Sequence, residues 1–329
     1  MNNGLKITFL GVVALAILFL SPFAGMQWIS LRELSSSSGD EITKEIFWTL
    51  RVPRVLTAFL AGSTLALGGM TFQALFRNPL ATPFTLGVAS GASLGASVAV
   101  TLGFTISILG IGGTSMGAFL GALLAMSLVY GLTRLKEGFS TGTMLLSGVA
   151  ISFFFSSLIL FLQYSADLYN AFRMLRWVMG GLGLVGYDSL FNILPFTLSG
   201  VAILYFLTHE LNLMLAGDDL ALSRGVDVNK VKRILFFTVS LMVGSVVAVC
   251  GPIGFVGMMM PHIARKLVGA DHRWLTPATF LAGGAFLVLC DTLARMVFAP
   301  AELPVGILTA FLGGPFFIWL LLREKVDRV

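Results

Sequence analysis

Histidine and cysteine are the first side chains to consider for chemistry in this sequence, and their spacing argues against a catalytic or metal site. The three histidines, His209, His262 and His272, do not pair at the spacing that metal ligands use. Cys250 and Cys290 lie in separate apolar runs, which is typical of small core residues. We therefore expect no catalytic residue and no bound metal in this chain.

A nucleotide site of the P-loop type is also excluded. No Gly-Lys dipeptide occurs anywhere in the sequence, and the P-loop requires one. The chain is therefore not expected to be an enzyme or to hold a cofactor. Any ATP-driven role needs a separate ATPase subunit, which would bind the ATP and Mg.

Ionisable residues inside apolar runs would mark a proton or ion pathway. Asp291 is the nearest candidate, but Arg295 follows it four residues later, so an ion pair on one helix face is the simpler interpretation. This weakens the alternative of a stand-alone secondary transporter or channel. A polytopic membrane enzyme, the third alternative, would need His, Asp or Glu residues converging at one depth, and no such pattern is visible.

The elements that position these residues are predicted to be transmembrane helices. Of the 329 residues 57% are hydrophobic and 11% charged, whereas a soluble domain is about one quarter charged. The basic residues behind the net charge of +5 lie between apolar runs, which indicates membrane topology rather than nucleic-acid binding. Uncharged windows long enough to span the bilayer cover residues 7–31, 55–76, 78–133, 138–166, 189–208, 234–261, 274–290 and 303–322.

Two of these windows are expected to hold two spans each, which predicts about ten crossings. Window 78–133 has room for two spans with a Gly-rich turn near Gly110, Gly112 and Gly113. Window 234–261 predicts a short return span, broken near Gly251 and extended through residues 258–267. Both termini are then cytoplasmic, and basic residues favour the cytoplasmic side by about two to one.

Two glycine patterns add to the predicted architecture. GSTLALGG (62–69) resembles GSVVAVCG (244–251), and the two copies would run in opposite directions, as inverted repeats of transporters do. Glycines at 87, 91, 95, 117 and 121 follow small-xxx-small spacing, for which close helix packing is favoured over a substrate role. The predicted fold is an all-α polytopic membrane protein, one transmembrane domain over residues 1–329 with inverted-repeat-like halves.

Five motifs carry a family resemblance: RVPR (51–54), QALFRNPLA (73–81), GVASGA (87–92), GPIGFVG (251–257) and AELPVG (301–306). In this order, over nearly the whole chain, they resemble the FecCD-type permeases of ATP-binding-cassette importers. That family imports ferric siderophores, haem and cobalamin. The resemblance implies ten helices per subunit, a second permease copy in a homodimer (with a close heterodimer as the alternative), an ATPase dimer on the cytoplasmic side and a solute-binding protein outside. It also implies a bacterial inner-membrane location in contact with lipid.

The resemblance assigns docking roles to residues at both faces. Arg51, Arg54 and Arg295 match arginines that receive acidic residues of the binding protein, and arginine suits carboxylate recognition. Helix anchoring, or pairing with Asp291 and Glu302, is the alternative for these arginines. Within a cytoplasmic coupling segment, 211–229, the resemblance assigns contact with the ATPase to Gly217, Asp218, Asp219, Ala221, Leu222, Gly225 and Val226.

The pathway between the two faces is assigned in the same way. The resemblance places a cytoplasmic gate at Asn78, Leu80 and Thr141. Ser147, Ser152 and Ser156 on the fifth span are expected to line a path with weak contacts that let a bulky ligand pass. The predicted function is the permease subunit of a metal-chelate importer, with ferric siderophore as the first cargo and cobalamin or haem open.

Overall fold

The computed structural model describes the chain except residues 1, 26, 36–40, 105–106, 109–110, 136–140, 184, 298 and 327–329. The described part is almost entirely helical. Its ten principal helices are α1 (Asn3–Leu20), α4 (Val52–Phe76), α5 (Val88–Thr101), α6 (Gly113–Leu135), α7 (Thr141–Ser165), α9 (Tyr187–Phe206), α12 (Val228–Cys250), α13 (Val256–Val268), α14 (His272–Val297) and α15 (Val305–Val326).

Shorter elements connect these helices. They are α2 (Leu31–Ser35), α3 (Glu41–Glu45), a π-helical turn (Ile46–Arg51), a 3-10 turn (Phe84–Leu86), α8 (Leu168–Val178), α10 (Thr208–Ala216) and α11 (Asp218–Ser223). Strand β1 (Ser107–Ile108) pairs antiparallel with β2 (Ile111–Gly112) where the sequence predicted a Gly-rich turn. Gly110 of that turn lies outside the described residues.

The predicted set of about ten spans is confirmed. Seven described helices are long and apolar enough to cross a membrane, and α5 and α15 are shorter apolar helices. The tenth is α13, whose 13 residues rise only about 20 Å. A non-helical segment, 251–255, precedes it, so the broken return span has the form predicted from the sequence.

Helix α4 is the centre of the bundle. Every residue from Leu60 to Phe76 is buried, and α4 packs against α9, α12, α13 and α14. Glycine makes this packing close: a Cβ on Gly62 would lie 2.3 Å from the carbonyl oxygen of Gly283 on α14. The same holds between α5 and α6, where a Cβ on Gly95 would lie 2.0 Å from the carbonyl oxygen of Gly117. The packing role predicted from small-xxx-small spacing is confirmed for glycines 91, 95, 117 and 121.

The bundle has two polar ends, which we name by their residues. At the arginine end, α4 begins and α14 finishes, so Arg54 and Arg295 lie close together around Asp291. At the coupling end, α4 finishes and α12 begins, and both contact the connection formed by α10 and α11. Helices α4 and α12, which carry the two copies of the glycine repeat, therefore run in opposite directions.

Candidate docking sites at the two ends of the bundle

Arg54 is the centre of the arginine end. Its Nε and Nη2 donate to Asp291 at 3.1 and 2.9 Å, and its Nη1 donates to Glu302 at 2.8 Å. The Asp291 side chain is 1% exposed, whereas that of Glu302 is 49% exposed. Arg54 therefore holds one buried carboxylate and one that water, or a partner, can reach.

Arg295 completes the buried part of this site. Its Nε lies 3.2 Å from Asp291, which confirms the predicted pair four residues apart on one helix. Its Nη1 and Nη2 donate to the backbone carbonyls of Ala24 and Ser21, just after α1. Two cations thus enclose Asp291, and the buried carboxylate is fully paired, as a buried charge must be.

Arg51 anchors the connection between α1 and α2. Its guanidinium donates to the backbone carbonyls of Pro22, Phe23 and Gln27, the last at 2.7 Å. The structure thus brings the three predicted docking arginines together at one end. Arg51 and Arg295 bind backbone carbonyls and Arg54 pairs with Asp291 and Glu302, the contacts of the alternative interpretation. Their docking role stays a prediction.

At the coupling end, helix α11 is bracketed by two glycines with left-handed backbone. Gly217 has φ +142 and Gly225 has φ +84, conformations that side chains other than glycine rarely adopt. Ala221 is fully buried, and its carbonyl accepts from the backbone N–H of Val226 at 3.0 Å. These contacts hold α11 as a short, closed turn against the bundle.

The opposite face of α11 is exposed. Asp219 and Ser223 are exposed, and Leu220 and Leu222 keep 43% and 57% of their surface accessible. Residues two apart on a helix do not share a face, so the two leucines lie at the edges of this exposed side, with Asp219 and Ser223 between them. A short helix exposed in this way is suited to a groove on a partner. Of the predicted coupling residues, Asp219 and Leu222 lie on this exposed side of α11. Ala221 lies on the buried side, against the bundle.

Asp218 ties α11 to two spans. It pairs with Arg77, which ends α4 in a left-handed conformation (φ +46), and with the Nζ of Lys232 on α12 at 2.7 Å. Arg77 also donates to the carbonyl of Met214 on α10 at 3.1 Å. Asp218, whose side chain is 39% exposed, therefore joins the ends of α4 and α12, and its predicted contact with an ATPase stays a prediction.

A second polar cluster joins α10 to the start of α14. Asn212 donates to the carboxylate of Asp271 at 2.7 Å and accepts from the backbone N–H of His272 at 2.9 Å. The backbone N–H of Arg273 and then the amide of Asn212 hold the pKa of Asp271 below its ordinary value. Sequence reasoning gave no site role to Asp271 or Lys232, and it covered Arg77 and Asn212 only as members of the motif 73–81 and of the segment 211–229; only positions beside helix ends could have indicated these contacts.

The predicted gate lies next to this end. Asn78 follows α4 directly, and its side chain accepts from the backbone N–H of Leu80 at 2.9 Å, which closes a tight turn. Leu80 is 47% exposed at the tip of that turn. Thr141 begins α7, but its side chain lies outside the described part of the chain.

The three predicted lining serines differ in their surroundings. Ser156 is exposed, whereas Ser147 and Ser152 are half-buried, and Ser152 accepts from the hydroxyl of Ser90 on α5 at 3.3 Å. Around them α7 exposes large apolar side chains, among them Phe153 at 73%. The face of α7 is therefore mainly aromatic and aliphatic with single hydroxyls.

Comparison with known proteins gives consistent matches over most of the chain. The hemin transport system permease protein HmuU of Yersinia pestis is 37% identical over 329 residues, which cover 98% of this chain and 97% of that protein. The cobalamin import system permease protein BtuC of Halobacterium salinarum is 40% identical over 290 residues, 87% of this chain and 76% of that protein. A solved ABC transporter assigned to the metal-chelate type, in an inward-facing conformation, matches with TM-score 0.85 and 31% identity over 97% of this chain and 99% of its own.

The ten spanning helices and the permeases to which the chain is similar together define its class. The protein is a multi-pass α-helical membrane permease. A sequence model of the FecCD transport family matches residues 13–323. The chain belongs to the FecCD transport family, and the resemblance carried by its motifs is confirmed.

Proposed function

We propose that this chain is the permease subunit of an ATP-binding-cassette importer that carries a metal chelate into the cytoplasm of a bacterium. One observation carries the proposal beyond family membership: helix α11 presents an exposed side flanked by Leu220 and Leu222, while Asp218 fixes the helix to α4 and α12. Such a helix can receive force from a partner and pass it to the spans. An ATPase dimer is the partner that this face fits.

A solute-binding protein is the partner proposed for the arginine end. Arg54 holds an exposed carboxylate, Glu302, beside a buried one, so an acidic residue of a partner could exchange with Glu302 without disturbing Asp291. Arg51 and Arg295 place positive charge next to this point. The exposed apolar face of α7 is the surface proposed for a second copy of the chain across a central path.

In the proposed cycle, ATP binding closes the two ATPases and moves the coupling segments. The spans then rock, and the central path opens alternately to each side. Leu80 and the start of α7 would narrow the path at the coupling end. The alternative of a stand-alone ion-coupled transporter is less supported, because the one buried acid in the described spans, Asp291, is paired with two arginines.

The cargo is proposed as a metal chelate, and three members of that class compete. Ferric siderophore is our first expectation, whereas two relatives are named for hemin and cobalamin. The test is reconstitution of the chain with its ATPase and its binding protein in proteoliposomes, with ATP-driven uptake measured for each of the three. Uptake that runs on an ion gradient without the ATPase would overturn the proposal.

The cargo specificity of the importer is best measured on its binding protein. That protein is expected to bind one of the three chelates far more tightly than the others. Calorimetric titration of the cognate binding protein with each chelate decides among them. Binding of none of the three, with transport of a different solute, would refute the cargo class while leaving the permease role intact.

A further inference from the structure

The connection between α9 and α12 is attached to the spans at two separate points. Asp218 on α11 pairs with Arg77 and Lys232, at the ends of α4 and α12. Asn212 on α10 contacts Asp271 and His272, at the start of α14. We call the contacts of Asn212 with Asp271 and His272 the Asn212 joint.

The Asn212 joint is geometrically complete. The side-chain amide donates through Nδ2 to Asp271 at 2.7 Å, while Oδ1 faces both the backbone N–H and the ring Nδ1 of His272 at 2.9 Å. His272 is 1% exposed, so this part of the joint is shielded from water. A carboxamide presents a donor and an acceptor in one plane, and both are used here.

Two features make this joint a mechanical connection rather than a local cap. Asn212 and Asp271 are 59 positions apart, so the bond joins separate elements. The chain also turns at Gly269, with φ +89, between α13 and α14, so α14 starts as a separate helix at this joint. Apolar contacts between helices tolerate sliding, whereas paired hydrogen bonds fix one register. Movement of α10 therefore pulls the start of α14 with it.

Helix α14 leads directly to the opposite end of the molecule. It begins at His272, in the Asn212 joint, and it contains both Asp291 and Arg295 of the arginine end. It is also closely packed on α4 through Gly62 and Gly283. A displacement at its first turn is thus carried along one continuous helix, past Pro277 in its second turn, to the proposed docking site of the binding protein.

We propose that Asn212 is a positioning residue that transmits movement of the coupling segment to α14. The inference rests on the proposed function and deepens it, because it names the contact through which the ATPase end communicates with the arginine end. Asn212 acts through Asp271 and His272 and needs no contact with the ATPase or the cargo. Its loss should therefore separate ATP hydrolysis from transport without removing either partner.

The test exchanges the two partners of the joint in the reconstituted importer. Asn212→Asp removes the donor and sets two carboxylates against each other, which should lower transport per ATP hydrolysed by about fivefold. Asp271→Asn keeps an acceptor and should have a smaller effect. The double variant Asn212→Asp with Asp271→Asn restores one donor and one acceptor, and we expect it to recover to within about twofold of the unmodified chain.

Three measurements are made on each variant: co-purification with the ATPase, ATP hydrolysis and cargo uptake. Retained assembly and hydrolysis with low uptake in Asn212→Asp, and recovery in the double variant, support the joint. Normal uptake per ATP in Asn212→Asp overturns it, as does failure of the double variant to recover. The unmodified chain, measured first, tests the proposed function separately, because the joint is judged only on ratios to it.

Discussion

Gly69 on α4 and Gly257 on α13 bring two helix backbones into direct contact, so that a Cβ on Gly69 would lie 1.7 Å from the carbonyl oxygen of Gly257. This contact lets the short helix α13 pack against the central helix with no side chain between them. Gly69 also closes the first copy of the glycine repeat. The repeat thus has a packing role at this position.

The Gly69 contact predicts a large penalty for a single methyl group. Gly69→Ala should destabilise the folded chain by about 3 kcal/mol, because backbone on both sides prevents relaxation. Gly131→Ala is the matched control: a Cβ there meets nothing within 4 Å, and a helical alanine should stabilise by up to about 1 kcal/mol. Thermal unfolding in detergent measures both, and equal shifts in the two variants would contradict the contact.

The two carboxylates that Arg54 holds should differ in their effect on stability. Asp291→Asn leaves Arg54 and Arg295 facing a neutral group in a buried site, which should cost about 3 kcal/mol. Glu302→Gln breaks a half-exposed pair and should cost less than about 1 kcal/mol. The readout is again the unfolding temperature. A larger loss in Glu302→Gln than in Asp291→Asn would refute this division of the site.

Glu302 also tests the proposed docking role of Arg54. If acidic residues of the binding protein pair with Arg54, Glu302 competes with them, and Glu302→Gln should tighten binding by about two- to fivefold. The affinity of the binding protein for the permease in nanodiscs can be measured by surface plasmon resonance. The gain should shrink at high salt, since screening weakens exposed charge pairs. Weaker or unchanged binding in Glu302→Gln would count against Arg54 as the docking cation.

Gly225 offers a backbone test of the coupling segment. Its φ of +84 disfavours β-branched side chains strongly but tolerates asparagine. Gly225→Val should therefore lower both co-purification with the ATPase and transport, whereas Gly225→Asn should retain most of both. Pull-down of the ATPase and uptake assays measure the pair. Equal behaviour of the two variants would show that the left-handed turn after α11 is not required.

Much of the fold could be predicted because its main signal is local. Each span is an uncharged window, and the break at residues 251–255 followed from the length of its window and the charges on both sides. The pair between Asp291 and Arg295 was predictable too, since four residues make one helical turn. The exposed site residues Asp219 and Leu222 came from the family motif.

The remaining contacts depend on residues far apart in the chain. Arg54 and Asp291 are separated by 237 positions, and Arg77 and Asp218 by 141. No periodicity links such residues, because the order of helices in the bundle decides which ends meet. The Asn212 joint was not predicted for the same reason.

The sequence by itself determined that this chain crosses a membrane about ten times, because long uncharged apolar windows are stable only in lipid. Its motifs, in their order along the chain, determined that it belongs with the FecCD permeases. Only the tertiary structure decided which arginines are enclosed by backbone carbonyls and which one holds an exposed acid. It also decided that α10 and α11 are fastened to three spans. Charges at the ends of different helices acquire their partners when the helices pack, and glycine contacts such as that between Gly69 and Gly257 bring those helices close.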